Sequence, residues 1–165
     1  MKTIPLTKGL VAVVDDADYS KLSPYSWYAV GRPGNEYAAR YGGHNKGSSS
    51  HIRMHRELLN APAGIEVDHV NGNRLDNRRA NLRLATRTQN ACNRSKFRGK
   101  HHSRFKGVTY HVRDQCWQAS IRHHDKHIYL GSFESEVEAA AAYNKAAINY
   151  QGKFAKLNEL QGENK

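Results

Sequence analysis

Apolar residues come in short runs through most of this chain, broken at close intervals by Gly, Pro, Ser and charged residues. Over residues 1–60 the runs LVAVV, SWYAV, EYAARY and SSHIRM read as strands. GHNKGSSS reads as a loop tip, and HRELLN, from His55, as a short helix stopped by Ala-Pro-Ala-Gly. Residues 61–95 read strand, loop, strand, helix: IEVDHV, NGNRLDN, NLRLAT and TRTQNACN. Thr86 and Gln89 form a capping-box pair, so a helix starts there. On it Asn90 and Asn93 are i,i+3 neighbours. From residue 107, GVTYHV, QCWQASIRHH and KHIYLGSF read as three strands with turns at Arg113-Asp114 and Asp125-Lys126. SEVEAAAAYNKAAINY then has helical composition. Ser135 and Glu138 cap it, and acids crowd the first turn, where the helix dipole favours them. The fold class is therefore α+β. A β-rich module spans 1–50, a strand-loop-strand-helix unit 51–95, a basic linker 96–104, and a three-stranded antiparallel sheet backed by one helix 105–161.

Composition narrows the function. The chain has 165 residues and 38% hydrophobic content, enough for one domain or two small ones with modest cores. No apolar run is long enough to span a membrane, and the start MKTIPLTKGLVAVVDD lacks a signal-peptide layout. Cys92 and Cys116 have no zinc-type spacing and read as reduced thiols, which together with the missing signal places the protein in the cytoplasm. The net charge of +11 is concentrated. Residues 71–106 hold eleven Lys/Arg against one acid, whereas residues 1–70 hold eight against seven and 107–165 seven against seven. A block that basic repels itself unless an anion lies against it, and nucleic acid is the leading partner. A solvated linker is the bland alternative, strongest for RSKFRGKHHSRFK.

The chemistry centres on EVDHVNG. Asp68 and His69 sit side by side on the first strand, Asn81 opens the second, and Asn90 lies on the helix. A hairpin folded against a helix can bring Asp68 and Asn90 together, and two such oxygens suit a hard cation such as Mg²⁺. A neutral His69 can take a proton from water near pH 7. Asn71-Gly72 reads as a hairpin turn. Asn81 is a loop cap, a functional residue, or both. His55 reads as a packing or backbone-bonded histidine, and Asp15, Asp16 and Asp18 as a loop and helix start.

This arrangement resembles the HNH (ββα-metal) endonucleases, through HRELL, EVDHVNGNRLDN, ANLRLAT and RTQNACN, and is most like the homing-type subgroup of phages and introns. The resemblance implies a divalent-metal-dependent phosphodiester hydrolase. His69 is its general base, Asn81 orients the loop behind it, and Asp68 with Asn90 holds one Mg²⁺ or Mn²⁺ per site. Many relatives have His where this chain has Asn90, and that departure argues against zinc. Asn93 is the substitute ligand if the helix register differs by one turn.

The carboxy-terminal stretch FKGVTYHV, QASIR, IYLGSFES and EVEAAAAYNKAAINYQGKFAKLNEL resembles the plant APETALA/ethylene-response-factor DNA-binding domain over about residues 103–160. That likeness implies a sheet laid in the major groove of double-stranded DNA. The contact residues it implies are Lys106, Thr109, His111, Ser120, Arg122, His127 and Tyr129, of which only Arg122 keeps the family's arginine among the base-reading positions. Arg113 joins them from the pattern of the sheet itself. Arg74, Arg78, Arg83, Arg87, Arg94, Lys96 and Arg98, from the basic block, are expected to contact phosphates. The expected partner is thus duplex DNA, with no membrane and no small-molecule cofactor. One active site per chain suits a monomer, with a dimer as the route to double-strand cutting. The competing readings are a non-catalytic DNA-binding regulator on a decayed nuclease fold, and an RNA-binding module. The complete Asp68, His69 and Asn90 set argues against the first, and the narrow major groove of RNA against the second.

Overall fold

The structure, a computed structural model, describes residues 1–45, 48–96, 103–124 and 126–160. The chain divides into two compact units, residues 1–90 and 91–165. The architecture is α+β, as the strand and helix signals require.

The first unit contains three small antiparallel sheets. Strands β1 (Lys2–Pro5) and β2 (Val11–Val14) pair with each other. Helix α1 (Asp16–Leu22) follows. Strands β3 (Tyr28–Val30), β4 (Tyr37–Asn45) and β5 (Ser48–Arg53) form the second sheet, with β4 central. Helix α2 (Met54–Leu58) leads to β6 (Glu66–His69), which pairs with β7 (Leu82–Ala85). Helix α3 (Arg87–Cys92) comes last. A single core joins Ile4, Val14, Leu22, Trp27 and Ala38 to Met54, Leu58, Val67 and Leu82. The amino-terminal strands and the β6–β7 hairpin are therefore packed as one body, and a boundary at residue 50 would cut through β5.

The loop tip expected over GHNKGSSS is mostly strand. Pairing continues through His44–Ser49 and Asn45–Ser48, and only residues 46–47 fall outside the described strands. A bulge between Tyr41 and His44 takes up Gly42 and Gly43, the latter at φ 94°, so the glycines serve a kink within the hairpin rather than its end.

Two polar clamps hold the segments around β6. Arg40 on β4 grips Glu57 on α2 through Nε (2.9 Å) and Nη2 (3.2 Å). Arg56 donates to the carbonyls of Ala61, Pro62 and Ile65, which closes the turn entering β6.

The second unit is a sheet of β8 (Val108–His111), β9 (Cys116–His123) and β10 (Lys126–Phe133), with β9 central and helix α4 (Glu136–Gln151) behind it. Ser135 and Glu138 make both bonds of the capping box. Lys126 opens β10 instead of sharing a turn, and Asp125 lies outside the described residues. Small residues let the helix lie close: Ala139, Ala140 and Ala147 are fully buried against the sheet core. Gly107 is obligatory here. Its φ is +75°, and a Cβ would meet the Tyr143 ring at 2.0 Å. Asn158 fastens the tail. Its side chain bonds both the N–H and the C=O of Lys106, and its backbone bonds both ends of the Asn144 amide.

Candidate active site

Strand alternation sorts the residues of β6. Val67 and His69 point to one side, Glu66 and Asp68 to the other. The pairing is Asp68 with Arg83 and His69 with Leu82. Asp68 and His69 are each only 4% exposed.

After His69 the chain turns at Gly72 (φ 80°), whose N–H donates to the His69 carbonyl at 2.9 Å. The turn role expected of Asn71-Gly72 fits this backbone. The loop that follows is cross-linked by Asn81. Its Oδ1 accepts from the Asn71 N–H (2.9 Å), its Nδ2 donates to the Asp76 carbonyl (2.8 Å), and its own carbonyl accepts from Val70 (2.8 Å). Asn71 in turn donates to Asp76, and Arg78 closes on the same carboxylate through Nε and Nη2. Asn81 is thus buried in, and holds, the loop that carries the chain away from His69.

The amino-terminal segment braces this loop from outside. Val13 exchanges backbone bonds with Leu75 and Asn77, both 2.8 Å. Asp15 accepts from the Arg79 N–H, and Asp18 takes the Arg79 guanidinium at 2.7 Å on each oxygen. The acidic cluster at the start of α1 therefore acts on the loop between β6 and β7.

On the other side of β6, the Asn90 amide donates to Glu66 at 2.5 Å. Helix α3 is placed for this by its Thr86–Gln89 capping box, in which both bonds form. Glu66 and Asp68, two residues apart, share a strand face, so Asn90 docks on the face that carries Asp68. The donors gathered there are all oxygens, and the Asp68 carboxylate already holds a cation, the Arg83 guanidinium, at 2.6 Å. Oxygen donors of this kind are what a hard divalent ion takes, and such an ion would share or displace Arg83 at Asp68. Among the described residues no cluster of three or more His, Cys, Asp or Glu side chains is placed to hold a metal, so water and phosphate would complete the shell of such an ion. Asn93 lies just beyond the end of α3.

On the far side of His69 stand His55, expected as a packing histidine, and Tyr37, to which the sequence drew no attention. The His55 ring stands edge-on to that of His69, centroids 5.1 Å apart, and Tyr37 contacts both rings at 5.1 and 6.1 Å. Burial pushes both histidines down. His55 falls to about 3, with the His69 ring, Arg53, Arg56 and Arg74 adding to the effect. For His69 a hydrogen bond with Asn77 and the charges of Asp68 and Asp76 partly oppose burial. Both imidazoles are neutral at pH 7. The packing role expected of His55, at the head of HRELL, holds. The pairing of His55 with His69 depends on how α2 packs, which no local pattern encodes.

The expected DNA contacts fall into separate groups. Arg78 and Arg83 are held by Asp76 and Asp68. Arg74 donates to the Asn35 carbonyl and lies over the Tyr37 ring. Arg87 and Arg94 are exposed, and Arg98 lies outside the described residues. Lys96 and Lys106 turn inward, donating to the carbonyls of Val108 and Cys92, and burial pushes both ammonium groups down. On the sheet of the second unit, Ser120 and Arg122 alternate with the buried Ala119 and Ile121. Their cross-strand partners are Tyr129 and His127. Thr109 faces Gln118 and His111 faces Cys116. The register therefore gathers Thr109, His111, Ser120, Arg122, His127 and Tyr129 on the one face that α4 does not cover. Arg113 sits exposed in the β8–β9 turn, and His111 pairs with Asp114 at 3.1 Å. Among the described residues, no helix is long and apolar enough to cross a membrane.

A family model described as HNH endonuclease matches residues 60–92, the stretch from the end of α2 through α3. An uncharacterized HNH endonuclease of Acanthamoeba polyphaga mimivirus is 30% identical over 159 residues, covering 93% of this chain and 77% of the relative. An AP2-like ethylene-responsive transcription factor of Arabidopsis thaliana is 36% identical over 61 residues, and an APETALA2-like protein of Oryza sativa subsp. indica is 47% identical over 60. These cover 37% and 34% of the chain, which spans only 13% of either plant protein. No solved structure matches. With a viral HNH endonuclease aligned along 93% of this chain, and the family's own region coinciding with the β6–loop–β7–α3 stretch, this chain belongs to the HNH endonuclease family.

Proposed function

We propose that this endonuclease hydrolyses phosphodiester bonds of double-stranded DNA with His69 as general base, and that its carboxy-terminal sheet finds the target. The observation that carries the reading is the placement of His69. It is buried and neutral at the end of β6, beside Asp68, with the loop behind it locked by Asn81. A neutral imidazole fixed in this way takes the proton from an attacking water. In-line attack would leave a 5′-phosphate and a 3′-hydroxyl. Asp68 and Asn90 would hold one Mg²⁺ or Mn²⁺, which when bound stabilises the charge developing on the phosphate and the leaving oxygen. Glu66 positions Asn90 through their hydrogen bond.

The helix-free face of the second unit supports the targeting part. Arg122, His127, Thr109 and Tyr129 form a polar surface on a sheet narrow enough for the major groove, where an arginine can read guanine with two bonds. Arg87 and Arg94 add exposed positive charge for phosphates. The layout of one cutting unit and one reading unit matches a free-standing homing-type enzyme of phage or mobile-element character, acting inside the cell that holds its DNA target.

The test uses supercoiled plasmid with Mg²⁺, with EDTA and Asp68→Asn as controls. Nicks are expected only with the wild type and the metal, and DNA ligase should reseal them without prior end repair. Nicks that ligase cannot seal would sink the proposed ends. Equal nicking by Asp68→Asn would remove Asp68 from the site.

A further inference from the structure

A cleft of about 350 Å³, lined by Gly31, Arg32, Asn35, Tyr37, Arg53 and Arg74, adjoins His69 through the Tyr37 ring. We infer that this cleft is a phosphate-binding subsite that holds a backbone phosphate of the bound DNA strand, next to the phosphodiester that is cut.

Charge is the first support. Four other arginines of the first unit are neutralised: Arg40 by Glu57, Arg78 by Asp76, Arg79 by Asp18 and Arg83 by Asp68, while Arg56 spends its donors on backbone carbonyls and Arg87 stands exposed on α3. Among the described residues no carboxylate lies within 4 Å of the guanidinium of Arg32, Arg53 or Arg74. Three unneutralised cations around one small cleft repel one another until an anion enters.

Preorganisation is the second. Arg53 and Arg74 both lie over the Tyr37 ring, at 5.0 and 4.7 Å from its centroid. An aromatic face holds guanidinium groups without using up their N–H donors. Arg74 is fixed further by one bond to the Asn35 carbonyl at 3.0 Å. That carbonyl is brought in by a tight turn at Gly31, where φ is +130° and a Cβ would meet the Asn35 oxygen at 2.8 Å. The remaining donors of both arginines suit the paired oxygens of a phosphate.

Position is the third. Tyr37, which forms the floor between the two arginines, also contacts the rings of His55 and His69. A strand whose phosphate sat in the cleft would be separated from His69 by the Tyr37 ring. The cleft thus orients the strand, and Arg32, Tyr37 and Arg53 are positioning residues with no place in the hydrolytic set. Placing that phosphate next to the cut rests on the nuclease reading; binding it does not.

The test separates the two. Binding of a short DNA duplex by the full chain is measured in EDTA at several salt concentrations. The wild type is compared with Arg53→Gln, with the Arg53→Gln/Arg74→Gln pair, and with Lys21→Gln, which removes an exposed charge on α1. The paired variant should bind roughly 10-fold or more weakly at moderate salt, and its log K against log[salt] slope should fall by about one to two. Arg53→Gln alone, an exposed position that the fold tolerates, should lower the slope by about one, and Lys21→Gln should leave it unchanged. Wild-type slopes and affinities in Arg53→Gln, or an equal loss in Lys21→Gln, would overturn the subsite. Plasmid nicking with Mg²⁺ is followed in parallel. Reduced slopes in a chain that never nicks would uphold the phosphate cleft and defeat the nuclease reading alone.

Discussion

The His69 ring meets the ring of His55 edge-on, with centroids 5.1 Å apart and planes at 81°. His55 is 3% exposed and comes from α2, while His69 comes from the end of β6. The contact places one neutral imidazole directly behind the other and fixes the second ring by packing. It also makes the fold sensitive to acid. In the unfolded chain His55 takes a proton near pH 6.5, whereas in the folded chain burial and nearby cations delay this to about 3. The unfolded state therefore binds more protons between those values. The stability tied to His55 is complete above about pH 6.5 and declines as pH falls toward 3. The expected outcome is a melting temperature that drops from pH 7 to pH 4 more steeply in the wild type than in His55→Phe. Parallel curves would contradict it.

Asn81 is the hinge pin of the loop behind His69. Replacing it with Ala leaves the Asn71 N–H and the Asp76 carbonyl without their partners. The expected loss is roughly 2–4 kcal/mol, or about 10–20 °C in the melting temperature of a unit this size. Asn81→Asp keeps the acceptor for Asn71 and should lie between. Thermal melts of the three proteins check the order, and nicking should fall further than stability predicts, because the loop leaves β6 directly at His69.

The clamp between Arg79 and Asp18 tests whether the amino-terminal segment serves the site. Asp18 is buried and Arg79 half-exposed, so solvent screens the pair in part. A double-mutant cycle with Arg79→Ala and Asp18→Ala should give a coupling of about 1 kcal/mol. Both single variants should slow nicking at temperatures where the fold is intact. Coupling near zero would mean that the loop holds itself.

Gly107→Ala should damage the carboxy-terminal unit alone. The new methyl would collide with Tyr143 and with the Ser120 carbonyl at 2.6 Å, in a backbone conformation that alanine rarely adopts. A cost of roughly 2–4 kcal/mol follows from strain and overpacking. DNA binding should weaken, while plasmid nicking at high enzyme concentration should persist. Loss of both at ambient temperature would show that the amino-terminal unit depends on its neighbour.

Much of this architecture is legible in the sequence where the signal is local. The Thr86–Gln89 and Ser135–Glu138 pairs mark helix starts, and the alternation in QASIR sorts one face from the other. The spacing of Asp68, His69, Asn81 and Asn90 points to a hairpin and helix because each interval crosses only a turn. What stayed hidden depends on distant packing. His55 and Tyr37 reach His69, and Arg53 reaches Tyr37, only because α2 and the β3–β4–β5 sheet share its core. Asp15 and Asp18 meet Arg79 across more than 60 residues. The basic block carries less free charge than its composition implies. Six of its cations, Arg74, Arg78, Arg79, Arg83, Lys96 and Lys106, are tied to internal partners, and the arginine cleft draws two of its three cations from outside it.

The most direct measurement is the single-turnover nicking rate of supercoiled plasmid with Mg²⁺ for the wild type and His69→Ala, both first shown to be folded and to bind the plasmid equally. With His69 as general base, the variant should be slower by roughly 10²–10⁴-fold. A variant that nicks at the wild-type rate would contradict the account at its centre.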